Sequence, residues 1–214
     1  MRCIHLCAAA ALLISQAALA TTYVEDFESG VANGWEPSAP EDWNVVERGN
    51  GNHVYRAYLA SHAHSAYVSM LVGEFTDFDY RASLRNNSEG ASYIIFRAQP
   101  GFTGFGGTAY AFGIDADCPT HKPKFFVYKV VDGRYQSLDR WQRSPYARCD
   151  SQGNRVRVVA RGAKLRFYIN GHQVLEYLDP EPLPAGRLGL LGYGGDLPGE
   201  QGHEFDNVLV ITPP

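Results

Sequence analysis

The chain has 214 residues, with 19 basic against 23 acidic side chains and a formal net charge of −4. Setting aside the first twenty residues removes one arginine and leaves about 194 residues at a net charge of about −5. That acidic balance argues against nucleic acid as a partner, and the length suits one β-sandwich with a sizeable core.

The first twenty residues read as a secretory signal. Arg2 is a positive start, Leu6 to Ile14 is an apolar run too short to span a bilayer, and Ala18-Leu19-Ala20 is a small-x-small cleavage site. Cleavage after Ala20 would leave one exported domain over 21–214. No second apolar stretch approaches that length, so no membrane span is expected. Cys3 and Cys7 leave with the signal, and Cys118 and Cys149 remain. An even pair in an exported chain is expected to be joined. Closing a loop of roughly 30 residues stabilises by about 3–4 kcal/mol in the chain-entropy account.

Strands are predicted at Thr22 to Phe27, Trp43 to Val46, Val54 to Leu59 and Ser65 to Leu71, with Trp35 and Trp43 as core anchors. His62-x-His64 and Pro198…His203…Asn207 echo a cupin metal motif, but the spacing and the missing Glu make this chance. Phe75 is expected to begin a longer strand, in which Asp79, Arg81, Ser83 and Arg85 face one side and Tyr80, Ala82 and Leu84 the other. Asn86-Asn87-Ser88, in the next turn, accepts a glycan only where the source glycosylates exported Asn. Tyr93 to Ala98 carries Tyr93, Ile95 and Arg97 on one row. From Thr108 to Asp117, Tyr110, Phe112 and Ile114 form an apolar row. The opposite row, Ala109, Ala111, Gly113, Asp115 and Asp117, is tiny side chains ending in two carboxylates. Open space is expected above it. Lys124 to Val131 is apolar on both rows, which predicts a central strand covered on both faces.

Asn154 to Asp179 reads as three strands. Arg155, Arg157 and Arg161 alternate with Val156, Val158 and Ala160; Gly162 turns the chain; Leu165, Phe167 and Ile169 share a side. Asn170-Gly171 is a two-residue hairpin signal, because both turn positions prefer φ > 0. Gly186 to Tyr193 and Glu204 to Ile211 close the chain as strands. Gly and Pro punctuation every eight to twelve residues is the signature of an all-β antiparallel sandwich.

Three stretches together resemble the concanavalin A-like lectin/glucanase superfamily. They are Asn154-x-Val156-x-Val158…Ile169-Asn170-Gly171, Leu183-Pro184-Ala185-Gly186-x-Leu188-Gly189-Leu190, and Phe205-Asp206-Asn207-Val208-x-Val210. Asp26-Phe27-Glu28…Gly34-Trp35…Trp43-Asn44-Val45 supports the likeness. The nearest branches are laminin G-like domains and the domain associated with 3-keto-disaccharide hydrolases. The resemblance implies a jelly roll of two curved antiparallel sheets, with carbohydrate on the concave face. It also implies a structural Ca²⁺ near the paired termini, for which Asp26, Gly49 and Asp206 are the matching positions. No cofactor is otherwise required, and a monomer is expected.

Glycosidases of this superfamily carry Glu-x-Asp-x-Glu on a strand, whose period puts three carboxylates on one face. This chain has only pairs: Asp115-Ala116-Asp117, Asp77-Phe78-Asp79 and Glu204-Phe205-Asp206. A non-catalytic, exported carbohydrate-binding module is therefore expected. If it is an enzyme, a glycan hydrolase using Asp115 and Asp117 is the alternative, and a surface-structural interaction domain is a third. Tyr93, Arg97, Tyr128 and Trp141, with Asp115 and Asp117, are the candidate ligand residues: rings stack on sugars and guanidiniums fork their oxygens. The same aromatics also suit a core, and the two aspartates also suit a solvated strand end. Arg81, Arg85, Arg155, Arg157, Arg161 and Arg166 form either a basic face suited to acidic polysaccharide or an ordinary solvated one.

Overall fold

The computed structural model describes residues 20–58, 66–86, 90–104, 106–115, 123–139, 142–149, 152–194 and 202–214. Signal residues 1–19, His62, His64, Asn87, Ser88, Asp117, Cys118, Trp141 and Pro198 lie outside them.

Among the described residues the chain forms sixteen strands. These are β1 (Thr22–Glu25), β2 (Trp35–Pro37), β3 (Trp43–Glu47), β4 (His53–Tyr58), β5 (Ala66–Leu71), β6 (Phe78–Asn86), β7 (Ala91–Ala98) and β8 (Ala109–Asp115). There follow β9 (Lys124–Val131), β10 (Arg134–Ser137), β11 (Gln142–Arg143), β12 (Asn154–Arg161), β13 (Lys164–Ile169), β14 (His172–Leu178), β15 (Arg187–Tyr193) and β16 (Gly202–Ile211). The first sheet runs β14-β13-β12-β6-β16-β4-β3, with β1 also paired to β16. The second runs β10-β9-β8-β7-β15-β5-β2, with β11 also on β9. The pairings are antiparallel throughout.

The predicted meander is β12-β13-β14. Asn170 and Gly171 both take positive φ, 50° and 87°, as a two-residue hairpin turn of this twist requires. Val156, Val158, Ala160, Leu165, Phe167 and Ile169 are all buried against the other sheet, while Arg155 and Arg161 stay exposed. Phe112 of the second sheet meets Phe167 of the first edge-on at 5.2 Å. At the other end Trp43 packs on Tyr55 at 4.6 Å and on Phe205 at 5.6 Å, so both tryptophans named as anchors sit in the core.

Three local expectations are corrected. Phe75 makes a single bridge to Gly186, and the long strand starts only at Phe78. Strand β9 is covered on both faces but is not central: only the short β10 and β11 lie beyond it. The row of tiny side chains on β8 leaves no open space. Tyr93 is the cross-strand partner of Gly113, and a Cβ at Gly113 would lie 2.1 Å from its ring. The small residues are the bed on which that ring lies, inside a second apolar cluster with Ile95, Ala111, Tyr128 and Leu191 on the outer face of the second sheet.

Candidate functional site

The outer face of the first sheet is polar, as alternation demands of a sheet packed on one side only. Neighbouring strands bring its polar rows into register. Arg157 of β12 lies opposite Arg81 of β6; Arg155 lies opposite Ser83, whose other neighbour on β16 is Asp206; Arg85 lies opposite Glu204, and Glu204 opposite Arg56. These rows floor a trough of about 820 Å³, whose lining includes Arg48, Arg148, Tyr168 and Asn207. Ser83 is the small residue in the middle of the floor.

Acids in and beside the trough are held by arginines. Asp79 accepts two hydrogen bonds from Arg81, at 2.9 and 2.8 Å, and two from Arg157, at 2.8 and 2.6 Å. Burial alone would raise its carboxyl, but these bonds outweigh it and hold the pKa down at about 2. They also let two like charges sit directly opposite each other on adjacent strands, which unaided would destabilise the pair. Glu204 is buried and meets three guanidiniums: Arg56 at 2.7 Å, Arg85 at 3.3 Å and Arg48 at 3.3 Å. Arg155 is exposed and makes no side-chain hydrogen bond or ion pair among the described residues. Tyr168 carries the Arg157 guanidinium over its ring, 4.8 Å from the centroid.

Asp206 differs from the other acids. Burial, and then the negative charges of Glu28 and Asp26, push its carboxyl up to about 6, against hydrogen bonds from the Asn207 backbone and the Asn52 side chain. The Asn207 N–H donates to Oδ1 at 2.6 Å. Asp26 and Asp206 therefore do come near each other where the chain ends pair, through β1 and β16. Among the described residues, no group of three or more His, Cys, Asp or Glu side chains is gathered as a metal site. The oxygen donors suit a hard cation, which would relieve the repulsion at Asp206; backbone carbonyls or water would have to complete its shell.

The other sequence candidates lie elsewhere. Arg97 is buried, with φ 49°, and clasps the two sheets together. It donates to the carbonyls of Thr76 at 3.0 and 2.8 Å, Gly162 at 2.7 Å and Leu183 at 3.1 Å, which commits its guanidinium to the backbone. Tyr93 and Tyr128 are buried on the outer face of the second sheet, edge to face at 5.6 Å. They line a smaller apolar hollow of about 290 Å³ with Phe126, Tyr135 and Tyr193. Asp115 lies at the end of β8, opposite Lys124. Arg166 pairs with Glu176 at 2.7 Å and Arg161 donates to the Ala160 carbonyl; neither lines the trough. The arginine row was visible in the sequence, as was the Glu204-Asp206 pair. That they share one face was not, because the strands carrying them are far apart in the chain.

Residues 22–210 match the 3-keto-alpha-glucoside-1,2-lyase-like domain family. No curated protein sequence matches the chain. A carbohydrate-binding module, CBM66 from Bacillus subtilis, superposes with a TM-score of 0.59 at 15% identity, covering 82% of this chain and 93% of that one. A galectin-like protein of unknown function from Bacillus subtilis gives a TM-score of 0.62 at 12% identity, covering 90% and 96%. A β-1,3-1,4-glucanase derived from a mouse hindgut metagenome gives 0.58 at 12% identity, covering 91% and 100%. At such identities the likeness is one of fold: the antiparallel jelly roll of these proteins is also the architecture of this chain.

Proposed function

The chain belongs to the 3-keto-alpha-glucoside-1,2-lyase-like domain family, and from that premise we propose that it is an exported carbohydrate-binding module whose ligand lies in the trough of the first sheet. One observation carries the non-catalytic reading. Glu204, the acid at the centre of the arginine cluster, is surrounded by Arg48, Arg56 and Arg85. The three guanidiniums occupy both carboxylate oxygens, which a nucleophile or an acid would need free to reach a sugar. A glycan array tests the proposal. Retention is expected for the native protein and lost in Ser83→Trp, which fills the floor from the solvent side without touching the core. Retention that survives this substitution places the ligand elsewhere and ends the reading.

A second reading rests on Asp206. A carboxyl raised to about 6 beside a sugar-sized trough has the protonation state of a general acid. In that case the protein releases product from an oligosaccharide and Asp206→Asn abolishes turnover while leaving retention. The absence of product from every glycan that binds decides for the module.

Two further elements belong to the proposal. Ca²⁺ between Asp26 and Asp206, with the Gly49 carbonyl, would act structurally by pinning β1 to β16. Export rests on cleavage after Ala20, which N-terminal sequencing of the secreted protein checks.

A further inference from the structure

We infer that the trough of the first sheet selects an anionic glycan, a polymer bearing carboxylate or sulfate groups, and that Arg155 is a principal reader of that charge. The inference rests on the proposed carbohydrate site and adds its ligand class. Six arginines line the trough (Arg48, Arg81, Arg85, Arg148, Arg155 and Arg157) against Glu204 and Asp206. The chain as a whole is negative, at −4. The trough lining is thus net positive in a chain that is net negative, which is the arrangement that draws an anion to a cleft.

The chemistry of the lining separates charged from neutral sugars. Neutral sugars are held chiefly by aromatic rings stacked on their apolar faces. Among the described residues the trough offers one ring, Tyr168, and Arg157 already covers it. What remains for a ligand is planar guanidinium edges, which fork carboxylate and sulfate oxygens in pairs. Asp79 is occupied by two of these arginines and Glu204 by others, so the protein's own acids consume only part of the donor capacity. Arg155 stands beside Ser83 on the trough floor, and its side chain has no hydrogen-bond or ion-pair partner among the described residues. Its backbone N–H is bonded to the Asn170 side chain at 2.8 Å, which fixes the strand independently of the guanidinium. A single ring among the described lining residues also disfavours single-stranded nucleic acid, which is gripped by base stacking.

Affinity electrophoresis of the purified protein tests this, in gels containing polygalacturonate, dextran sulfate or the neutral glucan laminarin, at low and at physiological salt. Retardation is expected with a charged polymer and not with laminarin, and is expected to weaken as salt rises. Polygalacturonate alone identifies a carboxylate ligand and dextran sulfate alone a sulfate; either supports the inference. Arg155→Gln is expected to weaken binding about tenfold, the scale of one charge-assisted hydrogen-bonded contact. Arg134→Gln, on β10 of the other sheet, is expected to change nothing. Laminarin binding that resists salt and is abolished by Ser83→Trp keeps the carbohydrate site and overturns the anionic ligand. Retardation by no glycan overturns both. Polyanion binding indifferent to Arg155→Gln and Ser83→Trp, or tighter binding to a single-stranded oligonucleotide, overturns the inference.

Discussion

Single side chains divide into those that hold the sandwich together and those left for a ligand. Arg97 belongs to the first group. Arg97→Met keeps much of its length and removes every donor to Thr76, Gly162 and Leu183. A loss of about 3 kcal/mol is expected from the orphaned carbonyls, read as a lower urea midpoint with an unchanged slope. His203 makes stability depend on pH. It is fully buried, its Nδ1 lies 2.8 Å from Ser92 Oγ, and burial pulls its pKa down to about 4. The unfolded imidazole takes a proton below about 6.5, whereas the folded one resists until about 4. The unfolded state therefore binds more protons in that window, and stability falls as pH drops, by up to about 3 kcal/mol. Asp206 acts in the opposite sense: its raised carboxyl takes up a proton first in the folded state, so it adds stability as pH falls through about 6. Urea unfolding between pH 7 and pH 4 should thus show a steeper acid loss in Asp206→Asn than in the native protein, and a shallower one in His203→Gln. Equal slopes in all three would contradict both assignments.

At the scale of strands, each row of the sandwich is read by its neighbour rather than by itself. Gly113 is the clearest case. Its own strand shows only a gap, and the ring of Tyr93 on β7 fills it. Gly113→Ala puts a methyl into that ring and near the Ser92 carbonyl, at 2.6 Å. A cost of about 1–3 kcal/mol is expected, because a packed cluster has no room for another carbon. Thermal unfolding measures it, and a further Tyr93→Leu change should recover part of the loss. Strand β16 gives the opposite lesson. Phe205 is in the core while Glu204 and Asp206 face the trough. Alternation in the sequence assigns that division, yet the three arginines around Glu204 come from β4, β6 and the turn after β3. The proposed Cys118–Cys149 bridge belongs to this scale too. Reduction, or Cys149→Ser, is expected to cost up to about 3–4 kcal/mol in denaturant unfolding.

For the molecule as a whole, the termini and the trough form one system, because Asp206 lies in the trough lining and is raised in part by Asp26 and Glu28 near the end of β1. If Ca²⁺ binds there, it should raise the midpoint of thermal unfolding by several degrees in the native protein and not in Asp206→Asn, since a ligand of the folded state alone stabilises by mass action. What the sequence by itself determined was the grain of the fold: period-two rows, the Asn170-Gly171 turn, the buried Val156, Val158 and Phe167, and the all-β class that follows. Such rows state that two sides exist, but not what lies against either. The second packed face under Tyr93 and Tyr128, the withdrawal of Arg97 into a clasp, and the meeting of Arg81, Arg155 and Arg157 above Ser83 were decided by tertiary structure. The physical reason is register. Which side chains touch across a sheet depends on how strands distant in sequence align, and each pairing forms only when the opposing sheet buries the greasy side of both.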